Sequence, residues 1–549
     1  MSEITPGEDA DRQIWPRLDS TTAYKTVALL VLTLVLYKAI ARSRRSHELP
    51  TWTILETGLV VAVITKSATA RRIYTAISRY GGPLLGITSI HQVVVGLQGT
   101  DRFLSQPPTT LSADTFQQTI MTRVGGLTNT PEMMTKWHKT WRKLLEPIER
   151  MFLNDTLSAA AIEQAQVVQK AHYFVSFADS THGMKPWEVS ANVQLITPQS
   201  AETVGVVEAD LLKLTRDFGA YIAIPLLYGH DFLNRYPNLL DDLWRVDDDL
   251  LLLLLIGVPP WAPFRTVRKG MESRSRLLRE LGSLYQRIHQ HVHGLPVDFD
   301  ADMSDVSPAA MERSEIYNRT GWTFKEQGEG DFAILWGQNA NLQPMIFWFL
   351  TYVYSTPGLL EDIRKEIAPH IKLSLTKPPE LVSLDNAALY RDCPLLKSCI
   401  FETYRMANEA TSVRHVERPV TVNDGQQRYV LQPGTFVTVP LSLDQRDPSV
   451  YANPDQFVPT RFLESDPQTG NTVARYGRLR PWGIGMPSCK GRVFAEKEIV
   501  AVGSAIIALW DISPVGGTWV LPTMIPGTGV KKPSEDIRVS IQRRIFKSD

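Results

Sequence analysis

The sequence predicts a mainly α fold with small β-sheets, and three observations predict it. Apolar residues recur at helical spacing through most of the chain, and strand-like alternation is confined to a short late stretch. A single cysteine set among glycines also stands directly before another helical pattern. A hydrophobic fraction of 43% and a charged fraction of 21% suit a globular protein with a large buried core. Lys plus Arg and Asp plus Glu number 58 each, so no strongly basic face is implied and nucleic acid is excluded as a partner. The cysteines are Cys393, Cys399 and Cys489, an odd number without zinc-type spacing, which argues against a disulfide scaffold and for a reducing environment.

At the N-terminus, Thr26 to Tyr37 is free of charge. Continued past Lys38 to Ala41, it can form a helix of about 16 residues, roughly 24 Å long. Lys25 and Lys38 can snorkel from its ends, and no cleavage site follows, so residues 1–45 are expected to be a tail and an uncleaved membrane anchor (about 26–41). Arg42, Arg44 and Arg45 follow the apolar segment and Glu3, Glu8, Asp9 and Asp11 precede it, which predicts a single pass with the bulk of the chain facing the cytosol, in the endoplasmic reticulum. A second apolar stretch, Trp52 to Thr65, is interrupted by Glu56 and is expected to lie at the interface or pack on the domain, within a connecting region 46–100. The sequons at Asn154 and Asn318 would matter only if the domain were luminal.

From about Asn129 to Gln290, and again from Phe332 to Ile367, the apolar pattern is helical. The run Leu250 to Leu255, with Ile256 to Trp261 beyond it, reads either as core or as a helix end and loop dipping into a membrane. Leu295 to Arg319 is polar and without period, and is expected to be a surface connection. Pro419 to Val430 and Gln432 to Val439 alternate around Asn423-Asp424-Gly425, predicting a small sheet.

The chemistry is carried by Pro481-Trp482-Gly483-Ile484-Gly485-Met486-Pro487-Ser488-Cys489-Lys490-Gly491-Arg492. Gly483, Gly485 and Gly491 allow a tight loop close to something flat, with the sulfur delivered at a helix N-terminus that favours a thiolate. This segment resembles the cysteine loop of the cytochrome P-450 family, with Trp482 in the usual Phe place. Glu402-Thr403-Tyr404-Arg405 resembles the family's Glu-x-x-Arg helix, and Pro454 to Phe462 resembles its Pro-x-x-Phe-x-Pro-x-Arg-Phe segment. Glu402 and Arg405 lie one turn apart, and Arg461 can complete a buried cluster that locks the loop leading to the cysteine.

The resemblance implies a catalytic domain over 101–549, a haem b held between a long distal helix and the loop, and Cys489 as iron ligand. It implies a membrane-bound monooxygenase that hydroxylates or epoxidises a lipophilic molecule with dioxygen, fed with electrons from NADPH by NADPH-cytochrome P-450 reductase. No nucleotide-binding Gly-rich fingerprint follows a strand, so that reductase must be another chain, with Lys490 and Arg492 either on its docking face or simply solvated. The family's Trp-x-x-x-Arg contact to a propionate is displaced by one residue from Trp137, which leaves Arg142 and Lys139 as candidates, and as alternatives a basic surface. Pro487 stands where a propionate-pairing base is common, so Arg414 or Arg142 would take over.

In the distal helix the usual acid and alcohol are represented by Ala340 and Asn341, near Pro344. This pattern resembles the branch containing sterol 7α- and 12α-hydroxylases and prostacyclin synthase, and the extended N-terminus is similar to fungal enzymes of specialised metabolism. An Asn amide can hold a water or a peroxide but cannot act as an acid at pH 7. It could equally cap or satisfy a helix kink. Alternatives therefore stay open: a reductase-independent isomerase or dehydratase of a peroxide substrate, or a non-enzymatic ligand-binding protein. Pocket walls are expected from Asp114 to Gly126, Phe218 to Phe232 and the distal helix.

Overall fold

The computed structural model describes residues 84–545 except 89–90, 95–96, 98, 200–202, 299, 375, 377 and 424–427; the expected anchor, the second apolar stretch and the predicted turn at 424–425 lie outside the described residues. Among the described residues no helix is long and apolar enough to cross a membrane.

The first long helix, α1 (Pro131–Leu153), starts where Thr130 accepts a hydrogen bond from the Met133 N–H and Pro131 takes the first turn. Met133, Trp137, Trp141, Leu144 and Ile148 form its buried stripe. Helix α2 (Leu211–Ala223) lies deep in the core, and α3 (Arg265–Val292) runs against α5 (Phe324–Asn339). The α3–α5 contact depends on glycine: a Cβ at Gly328 would collide with the Leu278 carbonyl oxygen and the Gly282 nitrogen. Between them in sequence, α4 (Pro308–Arg319), capped by Ser307, packs against α1 and α3. The segment Leu295 to Arg319 is therefore not wholly a surface connection. Arg313 and Asp331 are both buried and paired, with the Tyr228 hydroxyl on Asp331 at 2.5 Å and the Tyr317 hydroxyl on Arg313 at 3.0 Å. The polar residues of α4 face inward because partners distant in sequence satisfy them.

Helix α6 (Leu342–Ser355) follows α5 after a break at Ala340–Asn341. Pro344 explains the break, since it lacks an N–H and its ring clashes with the carbonyl four residues back. Helices α7 (Pro394–Ala407) and α8 (Arg492–Leu509) complete the frame, α8 being buried on nearly every side.

The five-stranded sheet has the order Leu84–Thr88, His91–Val94, Phe436–Pro440, Thr411–Val416, Leu111–Ser112, with only the His91–Val94 and Phe436–Pro440 pair parallel. Val437 faces Arg414 across the ladder. The hairpin Val420–Asn423 with Arg428–Leu431 falls where alternation predicted strands. An antiparallel sheet of Trp510–Pro514, Arg538–Arg543, Val206–Asp210 and Gln194–Thr197 was not anticipated, because its short strands are brought together from distant segments.

The core reading holds for part of the leucine run. Leu250, Leu251 and Leu254 are core, whereas Trp261 and Phe264 beyond them are 80% and 60% exposed.

Candidate active site

Cys489 enters a tight loop whose geometry follows from its glycines. Gly483 and Gly485 have φ of +73° and +74°, and a Cβ at Gly485 would come 2.8 Å from the Leu104 carbonyl oxygen. The Cys489 N–H closes the loop on the Trp482 carbonyl at 2.8 Å, and the Ser488 N–H on Gly485 at 3.0 Å. Gly491 immediately precedes α8, and a Cβ there would stand 4.0 Å from the Cys489 Sγ. Burial pushes the thiol up, while the Gly491 N–H and the charges of Arg492 and Lys490 pull it down.

Behind the loop, Trp482 packs edge-on against Tyr404 with ring centres 5.2 Å apart. Its indole N–H donates to Glu496 at 3.0 Å and to the Tyr476 hydroxyl at 3.1 Å. Glu496 also accepts from the hydroxyls of Tyr390, at 2.5 Å, and Tyr476. No motif pointed to Glu496, which is one acid among many on a helix.

Glu402, Arg405 and Arg461 come together, the first two fully buried and Arg461 partly so. Arg405 donates to Glu402 at 2.7 and 2.8 Å, Arg461 Nε at 2.9 and 3.1 Å. Arg405 also reaches the carbonyls of Gln445, Pro454 and Gln456, and Arg461 those of Ala452, Asn453 and Gln456. One helix turn thus holds both ends of the loop that leads toward the cysteine.

A cavity of about 480 Å³ separates Cys489 from the break between α5 and α6. Cys489, Trp482, Gly483 and Gly491 line one side, and Gly337, Gln338 and Asn341 the other. A smaller adjoining cavity of about 270 Å³ shares Cys489 and Phe116 and reaches Trp137 and Trp141. The first volume lies within the usual range for cofactor and ligand sites, about 300–1,000 Å³.

Asn341 lines this cavity, and its Oδ1 is buried and accepts no hydrogen bond among the described residues. It makes no capping bond to α6, so the capping reading does not hold. Ala340 is buried and does not line the cavity; because the helix breaks at this point, Gly337 and Gln338 take the wall instead.

Arg414 lies on strand Thr411–Val416 of the five-stranded sheet, is only 3% exposed, and lines the cavity. It donates to the carbonyls of Val413 and Ile484, both at 2.9 Å, and no carboxylate among the described residues pairs with it. Burial lowers its guanidinium to about 10. A buried cation without an anion is costly, and an anionic group in the cavity would relieve that cost.

Arg142 does not share this role. Trp137 and Trp141 take the inward stripe of α1, so Arg142 turns outward with its side chain 59% exposed, 3.9 Å from Asp114 and over the Trp141 ring. Lys139 is exposed on the same outer face. Lys490 is tied to Glu149 at 2.8 Å, and Arg492 to the Cys489 carbonyl at 3.0 Å. Of the expected pocket walls, Phe116 and Gln117 reach the cavity, but Phe218 to Phe232 does not: Phe218 and Phe232 are packed into aromatic core with Phe174, Trp187 and Tyr228. The wall that sequence reading missed is Gly529 and Val530, from the late hairpin Met524–Ile525 with Lys532–Pro533.

The residues present suit a flat, anionic, iron-bearing group. They comprise an accessible sulfur, an apolar slot floored by glycines, and a buried arginine without an anion. Residues 341–540 match the family model described as cytochrome P-450. Curated relatives include the cytochrome P-450 monooxygenase poxD of Penicillium oxalicum, 27% identical over 331 residues, covering 60% of this chain and 63% of that protein. A cytochrome P-450 monooxygenase of Gibberella zeae is 26% identical, covering 59% of this chain and 60% of its own. The human 7-alpha-hydroxycholest-4-en-3-one 12-alpha-hydroxylase is 25% identical, covering 47% and 53%. The chain thus spans less than two thirds of the length of these relatives. The solved structure of retinoic acid bound cyanobacterial CYP120A1 superposes with a TM-score of 0.57 at 17% identity, over 88% of this chain and 96% of that one, which is a likeness of fold.

Proposed function

Since this chain belongs to the cytochrome P-450 family, with haem b as the cofactor its fold implies, we propose that it is a haem-thiolate monooxygenase that hydroxylates or epoxidises a lipophilic small molecule. The observation that carries this reading is the placement of the Cys489 sulfur on one side of an apolar cavity and the Asn341 amide on the other, with Arg414 unpaired at its edge. Cys489 would hold the iron and Arg414 a propionate, while Trp482, Gly483, Gly485 and Gly491 shape the proximal side. Haem bound there would supply the activation of dioxygen, which a cysteine thiolate ligand favours.

The rest falls to the chain. Phe116, Ile334, Leu342 and Val530 keep water from the cavity and orient an apolar substrate. The Asn341 amide offers an acceptor and two donors to a water or a substrate oxygen, but no proton at pH 7. Electrons would come from NADPH through a separate reductase. The anchor at about 26–41 would hold the domain, residues 101–549, on the cytosolic face of the endoplasmic reticulum, and Trp261 and Phe264 would lean toward the membrane. The substrate would be a terpenoid, sterol-like or polyketide skeleton of fungal specialised metabolism. The apolar cavity supports this, as do relatives named as acting on 7-alpha-hydroxycholest-4-en-3-one and 25-hydroxycholesterol.

Ala340 and Asn341, in place of the acid and the alcohol, are compatible with one further reading: rearrangement of a peroxide-bearing substrate without a reductase. The test is the full-length protein loaded with haem. The expected result is a red-shifted Soret band in its reduced carbon monoxide complex, lost in Cys489→Ser, and NADPH oxidation coupled to product when reductase is added. Turnover of a hydroperoxide without NADPH would favour the second reading, and absence of the band would end both.

A further inference from the structure

The hairpin Met524–Ile525 with Lys532–Pro533 carries residues 526–531 to the cavity at its tip. Gly529 there lies against Asn341: a Cβ at 529 would come 2.6 Å from the Asn341 Oδ1. The Trp348 indole N–H of α6 donates to the Lys531 carbonyl at 2.8 Å, and the tip is held from two further sides. On one, backbone bonds tie it to the end of α7, the Glu409 N–H donating to the Gly529 carbonyl at 2.8 Å and the Lys531 N–H to Ala407 at 2.7 Å.

On the other side, Lys532 Nζ donates to Asp247 Oδ2 at 2.5 Å, to the Asp247 carbonyl at 3.0 Å and to Asp248 Oδ1 at 2.8 Å. Asp247 Oδ1 accepts from the Thr528 hydroxyl at 3.2 Å and from the Trp336 indole N–H on α5 at 2.8 Å. Asp247 is 3% exposed and sits in a single π-helical turn, Val246–Leu250. Such a turn is a local irregularity that re-aims side chains and is often found at functional sites. One buried carboxylate therefore joins two elements that line the cavity, α5 beside Gly337 and the hairpin tip, to the π-turn, which does not line it. An exposed ion pair would hold little, but a buried carboxylate with charged and neutral donors holds its partners in one arrangement.

We propose that Asp247 and Lys532 form a latch that keeps the hairpin tip over the cavity with Gly529 against Asn341. The two are positioning residues, and Gly529 determines the size of ligand admitted above Cys489. Loss of the ion pair leaves the backbone bonds to α7 in place, so the tip pivots and does not detach. The inference rests on the reading of this cavity as the haem and substrate site.

The test uses full-length, haem-loaded protein and two probes, imidazole and the bulkier 1-phenylimidazole, whose binding is followed by the Soret shift beside the reduced carbon monoxide spectrum. If the unsubstituted protein lacks the carbon monoxide band, the functional reading fails and the latch with it. With the band present, Lys532→Met is expected to raise the association rate of 1-phenylimidazole relative to imidazole on the order of tenfold. Asp247→Asn, which keeps acceptors for Trp336 and Thr528 but loses the charge, is expected to do the same. Gly529→Ala is expected to act in the opposite direction, weakening 1-phenylimidazole while sparing imidazole, because its Cβ displaces the Asn341 amide. An unchanged ratio of the two azoles in Lys532→Met and Asp247→Asn would overturn the latch. So would loss of the carbon monoxide band in both, since the pair would then be structural.

Discussion

Three residues show how differently charge is treated inside this protein. Glu402 accepts from two guanidinium groups and the Val458 N–H, so its charge is matched. Replacing it with Gln leaves Arg405 buried without an anion and loosens the turn that feeds the cysteine loop. Glu402→Gln is therefore expected to cost about 3–5 kcal/mol, read by chemical denaturation, and to reduce haem retention. Glu496 is matched by neutral donors, two phenols and an indole, which fix the Trp482 ring behind Cys489. Arg414 has carbonyl acceptors but no anion among the described residues, which marks it as the candidate partner for one. Arg142, the other arginine candidate for a propionate, is set apart by the side of the helix it occupies.

The break between α5 and α6 is the element on which the cavity depends. A helix continued through Ala340 and Asn341 would give Asn341 an ordinary helical direction; instead Pro344 forces an interruption that leaves its amide oxygen free of the backbone. Just past the break, Gln343 donates to Glu498 on α8 at 3.4 Å, and Glu498 is wholly buried. Burial pushes its carboxyl from 4.5 up to about 8. Below pH 4.5 the folded and unfolded chains both hold this proton, whereas between about 4.5 and 8 only the folded chain does. The folded-state stability that Glu498 contributes is thus present at low pH and is lost as pH rises through that window. Thermal melts of Glu498→Gln against the unsubstituted protein should show the variant gaining steadily from pH 5 to pH 8 (about the window above). Equal differences at both ends would contradict the assignment.

For the whole molecule, the unpaired Arg414 links folding to cofactor. Without haem the buried cation is a burden, and with haem it becomes a contact. Arg414→Leu is expected to leave the haem-free protein as stable or to stabilise it by about 1–3 kcal/mol, while lowering the melting temperature gained on adding haem. Melting curves of both forms with and without haem measure this, and a loss of stability without haem would contradict it. The same logic explains the depth of α4: Arg313 is tolerated inside because Asp331, Tyr317 and the Leu144 carbonyl satisfy it.

How much of this was legible depended on whether the signal was local. The helical middle, the paired strands Val420–Asn423 and Arg428–Leu431, the glycine-framed sulfur of Cys489 and the Glu402–Arg405 pair follow from short-range spacing, because glycine conformations and helix periodicity are properties of adjacent residues, whereas Arg461, 59 residues from Glu402, was legible only through the family resemblance of its segment. What only the tertiary structure decided were contacts between segments far apart in the chain. These include which arginine faces the cavity, the helix formed by the polar 308–319 stretch, the sheet joining residues 194–210 to 510–543, and the hairpin wall that brings Gly529 to Asn341. Such contacts are set by burial and by partners hundreds of residues away. A single polar residue such as Lys532 or Asp247 carries no local mark of which partner will claim it.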